Sequence, residues 1–144
     1  MIDTTWYKLW MFLHIASVVV AFAPGVVAPL LFRSFRAEGV QRVAGALLAN
    51  DKRVHGPALV ASGGFGIALI LASHEVFKFD QTWVSMAFVV WIAMNGVLHA
   101  VLAPAQRELA AGNTAAESRF NTGGAAIDLL FLVMLYLMIW KPGL

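Results

Sequence analysis

The chain has 144 residues, of which 60% are hydrophobic and 12% charged, against roughly 25% charged in an ordinary soluble domain. Mean hydropathy is +0.78, which points to a membrane protein. Net charge is +2 with the basic residues standing singly or in pairs, so there is no nucleic-acid footprint; without cysteine, disulfides, thiolate metal sites and iron–sulfur clusters are excluded.

In chain order, "MIDTTWYKLW" carries an early acid and no basic run, unlike a cleavable signal. Four apolar stretches then approach the about 20 residues that a bilayer core takes as helix. They cover residues 7–32, 56–73, 83–103 and 123–140. Helices are required because every backbone group must be satisfied within lipid. The expected fold is a single all-α membrane domain, a bundle of four transmembrane helices.

Pro24 and Pro29 are expected to kink the first helix. Residues 33–55 follow as a connection. Within it Val40, Val43, Leu47 and Leu48 fall near helical spacing between basic ends, as in a cytoplasmic extension or an interfacial helix. Residues 104–122 form a shorter polar connection, and "HEVFKFDQT" a tight turn between the middle spans. "SGGFGIAL" at 62–69 is echoed by "TGGAAIDL" at 122–129, and Ala28–Pro29 by Ala103–Pro104. These echoes suggest two repeated hairpins of the same orientation. The glycines suit close helix packing, and no P-loop lysine follows to make them a phosphate cradle.

Seven basic residues lie in the two long connections: Arg33, Arg36, Arg42, Lys52, Arg53, Arg107 and Arg119. Lys8, Lys78 and Lys141 lie on the other side. The asymmetry places the connections in the cytoplasm and both termini outside it. Trp6, Trp10, Trp83 and Trp140 all fall at the outer boundary, where interfacial aromatic anchors belong.

The polar residues within the spans are the candidates for function. At about 1.5 Å per residue, His14 lies roughly 9 Å inside the outer boundary and His99 about 24 Å from it. His74 ends the second span on the outer side, and His55 opens it on the inner side. Two ligands to one haem must share a depth, so His14 pairs better with His74 or Met86 than with His99. Asp128 is the one charge between Ala125 and Trp140, and intramembrane carboxylates face inward and pair. Its depth matches that of His99, so a buried pair of His99 and Asp128 is expected, with Asn95 one turn away. No metal centre is expected elsewhere.

"WYKLWMFLHIASVVVAFAPGVVAPLLF", "LHAVLAPAQRELAAGNTAAESRF" and the closing "MIWKPGL" resemble the first helix, the third-helix end with its loop, and the Lys-Pro terminus of the HemJ family. The resemblance extends to CopD-like and related uncharacterised families. It implies a four-helix protein of the bacterial cytoplasmic (inner) membrane that binds haem b. In HemJ itself it implies oxidation of protoporphyrinogen IX, with His14 matching the first-helix histidine proposed to ligate haem and His99 the histidine near the end of the third helix. Where that family opens its third helix with Trp-Leu-His-x-Lys, this chain has "WVSMA" at 83–87, and "NTGGAAID" stands in place of Asn-Glu-x-Pro. The expectation is therefore a non-catalytic membrane subunit or accessory protein on a HemJ-like scaffold. It would be associated with other membrane subunits or with copies of itself. The alternative is a haem b-binding redox protein.

Overall fold

The computed structural model describes residues 5–34 and 37–143, with the side chains of residues 24–38 outside the description. Arg33 and Arg36 of the first basic connection, and the side chains of Pro24 and Pro29, therefore lie outside the described residues. The described residues are helical almost throughout. α1 (Thr5–Ser34) and α2 (Ala37–Asn50) lead into α3 (Gly56–Ala72), and α4 (Thr82–Val97) leads into α5 (Ala103–Ala110); α6 (Glu117–Trp140) closes the chain. Four helical tracts are long and apolar enough to cross a membrane: Thr5–Ala23, Gly39–Ala72, Thr82–Ala110 and Thr114–Trp140.

Two of these tracts are continuous where the sequence suggested separate pieces. α2 runs into α3 through a π-helical turn at Asp51–His55, and α4 into α5 through another at Leu98–Leu102. Proline explains both. Pro57 and Pro104 each stand two residues beyond the end of a π turn, and a proline ring collides with the carbonyl four residues back while lacking an N–H to bond it. Widening the turn relieves both problems. Gly56 N–H then reaches Asp51 O, and Ala103 N–H reaches Leu98 O, each five residues back. The amphipathic stretch around Val40 and Leu47 is thus an extension of α3. At about 1.5 Å per residue, the 34 residues of Gly39–Ala72 span roughly 51 Å, well beyond an about 30 Å hydrocarbon core. The surplus lengths, α2 and α5, pack on each other at one end of the bundle. There Ala44, Ala105 and Leu109 are buried, and Gly45 lets the Ala110 methyl approach.

The main packing is pairwise, α1 on α3 and α4 on α6. Buried Leu59, Met94, Leu98 and Ile127 join the pairs into one core. Outward faces are strongly apolar: Phe12, Leu71, Val89, Ile92, Leu132 and Ile139 are each more than 60% exposed. Trp6 and Trp140 stand on that surface as boundary anchors would, but Trp83 does not. It is buried, edge-on to Phe77, with its indole N–H donated to Gln81 Oε1. Its ring therefore lies under the turn between α3 and α4, inside the protein.

Candidate functional site

Between the two helix pairs lies a cavity of about 520 Å³, within the about 300–1,000 Å³ common for small-molecule sites. Its walls are almost wholly apolar or aromatic. At the end near the chain termini it is lined by Tyr7, Phe77, Trp83 and Lys141. Lys141 adopts a left-handed conformation that ends α6, with its N–H donated to Leu137 O. Its ammonium lies 5.5 Å from the Phe77 ring centre and 5.9 Å from that of Trp83.

His14 is the histidine set within the wall. Its Nδ1 lies 2.8 Å from the Ser62 carbonyl oxygen, which can only accept, so Nδ1–H donates and Nε2 carries the lone pair. The glycine-rich stretch of α3 makes that geometry available. A Cβ on Gly66 would lie 3.5 Å from His14 Cε1, so the ring rests directly against the helix backbone. One turn away, a Cβ on Gly63 would lie 2.5 Å from two carbons of the Trp91 ring. Trp91 occupies that notch and donates its indole N–H to the Leu59 carbonyl at 2.7 Å. Gly64, between them, meets nothing within 4 Å. "SGGFG" is therefore a pair of ring seats, one for His14 and one for Trp91, and helix-to-helix backbone contact is not what these glycines provide.

The other expected ligands are not brought to His14. His74 is exposed in the turn after α3, with a left-handed φ of 50°. Met86 is 46% exposed and outside the cavity wall. The reason is helical phase: Trp83, Val84, Ala87, Phe88, Trp91 and Met94 form the face of α4 that lines the cavity, and Met86 is on the reverse. The thioethers that do reach the cavity are those of Met11, Met94, Met134 and Met138. Helix register places Met138 nearest the depth of His14. Phe22 stacks on Phe131 with ring centres 4.0 Å apart, fixing α1 against α6. Eight residues back along α1 is His14, and seven residues on along α6 is Met138. The stripe Phe131, Met134, Leu135, Met138 has the i, i+3, i+4, i+7 spacing of one helix face, a signal present in the sequence.

The His99–Asp128 pair is likewise not assembled. Both side chains are exposed, and no hydrogen bond joins them. Leu98 and Leu102 turn inward at the π-helical turn of α4, which leaves His99 beside the start of α3, with its Cε1 3.8 Å from where a Gly56 Cβ would be. Asn95 donates to the Trp91 carbonyl of its own helix at 2.8 Å. The buried polar pair is a different one. His55 Nδ1 lies 2.9 Å from Asp51 Oδ1, four residues earlier on the same helical tract, and both residues are only 6% exposed. "DKRVH" carries that spacing in plain view. Asp128 lines a second cavity of about 260 Å³ beside this pair. Phe22 borders both cavities and, stacked on Phe131, stands between them.

As a haem site the large cavity is chemically suitable. A ligating imidazole ordinarily donates its second ring nitrogen to a carbonyl, which fixes the tautomer and raises the basicity of the other nitrogen. His14 has that arrangement. Thioethers and aromatic rings supply the rest of the wall. Among the described residues no group of three or more histidine, cysteine or acidic side chains forms a metal site of another kind. Comparison with protein-family models, curated proteins and solved structures gives no match.

Proposed function

We propose that this chain is a multi-pass protein of a bacterial inner membrane that binds haem b in the cavity between its helix pairs, where His14, through Nε2, would be the residue that holds it. The observation that carries this reading is the His14 Nδ1–Ser62 carbonyl bond at 2.8 Å in the wall of a 520 Å³ apolar cavity. It favours the cofactor-binding alternative over a purely accessory role, because a packing-only bundle has no use for a large cavity facing an oriented imidazole. Bound haem would supply one-electron chemistry, and the chain's own residues would hold it, orient it and keep water away. The resemblance to HemJ proteins supports the same cofactor.

The membrane setting rests on four apolar tracts with apolar outward faces. The seven-to-three distribution of lysine and arginine supports a cytoplasmic α2–α5 end with both termini outside. Gly63 and Gly123 are packed while Gly64 and Gly124 meet nothing within 4 Å, which supports the two-hairpin repeat. The open Gly64, Gly96 and Gly124 also favour a second reading, compatible with the first, in which the chain is one subunit of a larger membrane assembly.

Purification in mild detergent followed by an absorption spectrum tests the cofactor reading. A Soret band with reducible α and β bands is expected in the wild type and should be lost in His14→Ala. A wild-type protein that neither carries nor takes up haem would overturn it.

A further inference from the structure

The second cavity carries an inference that does not depend on the haem reading. Asp51 and His55 are each 6% exposed and Gln106 is 3% exposed. Asp51 Oδ2, His55 Nε2 and Gln106 Oε1 have no hydrogen-bond partner among the described residues. All three residues line one cavity of about 260 Å³, and Asp128 stands in its wall from α6. Buried polar atoms are nearly always partnered, so three orphans around one space mark a place where something with hydrogen-bonding capacity belongs. At roughly 30 Å³ per molecule there is room for several waters.

We propose that Asp51, His55 and Gln106 form a proton-exchange site, a water-filled recess in which the Asp51–His55 pair takes up and releases a proton. In the neutral form, His55 Nδ1–H donates to Asp51 Oδ1, which leaves the unpartnered Nε2 as the ring nitrogen with the lone pair. A proton arriving through water bonds to Nε2, and the Asp51 carboxylate balances the imidazolium that results. Release reverses the step, with no other bond made or broken. Histidine is the side chain suited to this, since its ordinary charge change falls between pH 5 and 8.

Local backbone chemistry builds the site. The π-helical turn imposed by Pro57 contains both residues, and single π turns within α-helices recur at functional positions. Gly56 closes that turn so tightly that a Cβ there would be 2.8 Å from Asp51 O. Of the elements packed around the pair, α1 contributes Ala21 and Phe22, α2 contributes Leu47, and the π turn of α4 contributes Leu102. The titratable groups brought near it from other elements, among the described residues, are Asp128, which lines the same cavity, and His99, whose ring lies against Gly56. Lys52 and Arg53, on the same turn, are exposed and point away.

The test is ¹⁵N-histidine NMR of the full-length protein in detergent micelles from pH 4 to 9, with His55 assigned by His55→Gln. Wild-type His55 should titrate once, with Nδ1 protonated throughout and Nε2 changing state. Asp51→Asn should weaken the affinity of His55 for its proton about ten-fold or more, and Asp128→Asn by a smaller factor in the same direction. If Asp51→Asn fails to fold, the wild-type titration and Asp128→Asn still decide the matter. A His55 locked in one protonation state across the range would mark a purely structural pair and overturn the proposal. So would a titration unaffected by the nearest carboxylate that can be removed.

Discussion

Replacing Gly63 with alanine puts the packing of the large cavity under direct test. The added Cβ would stand 2.5 Å from Trp91 Cε2 and Cζ2, whereas carbon atoms in contact prefer about 3.5–4.0 Å. The ring must retreat by roughly 1 Å, and it is tethered by the 2.7 Å bond from its Nε1 to the Leu59 carbonyl. Overpacking of this kind costs about 1–3 kcal/mol, and losing the indole bond adds about 1 kcal/mol. Against this, alanine gains about 0.5–1 kcal/mol over glycine within a helix. The net expectation is a destabilisation of about 1–3 kcal/mol. Gly64→Ala is the matched control one residue away. Nothing lies within 4 Å of its Cβ, so only the helix-propensity gain of up to about 1 kcal/mol operates. Thermal unfolding in one detergent, followed by circular dichroism, should lower the midpoint for Gly63→Ala and leave it unchanged or raised for Gly64→Ala. Equal shifts in the two variants would refute the assignment of Gly63 as the seat of Trp91.

Phe22→Ala and Phe131→Ala should each destabilise by about 3–5 kcal/mol. In a double-mutant cycle monitored by unfolding, the stacked pair should show about 0.5–1.5 kcal/mol of coupling, and strict additivity would contradict the register drawn between α1 and α6. His74→Ala and Met86→Ala should leave the absorption spectrum of a haem-loaded protein unchanged, because neither side chain lines the cavity; a lost or shifted Soret band in either would show that the cavity is not the binding site. Asp51→Leu should cost about 3–5 kcal/mol by stranding His55, while Asp128→Leu, at an exposed position, should cost less than about 1 kcal/mol. Unfolding of both variants checks the order, and the reverse order would make Asp128 the structural carboxylate.

The four long helices are legible in the sequence because apolar runs of bilayer length alternate with basic or turn-forming segments. Depth is legible too, since a fixed rise per residue converts position into height. Which way a side chain points around its helix is harder to read. Height alone matches Asp128 to His99, and the π turns set by Pro57 and Pro104 change the helix face on which following side chains emerge. Met86 fails as a partner for His14 for the same kind of reason, lying on the back of α4 while Met138 on α6 reaches the cavity. The glycines of "SGGFG" are recognisable as small residues at a contact. Only the fold shows that Gly63 receives an indole and Gly66 an imidazole. The Asp51–His55 pair needed no tertiary knowledge, since an acid and a histidine four residues apart on a helix are neighbours.

The central claim, that His14 offers its Nε2 to a haem in the large cavity, is tested most directly by His14→Gly. That variant removes the imidazole and leaves space beside the Ser62 carbonyl that free imidazole can enter. Purified with haem supplied, it should lack the wild-type Soret position and intensity, and added imidazole should restore them, whereas a variant with a wild-type spectrum before imidazole is added would contradict the claim.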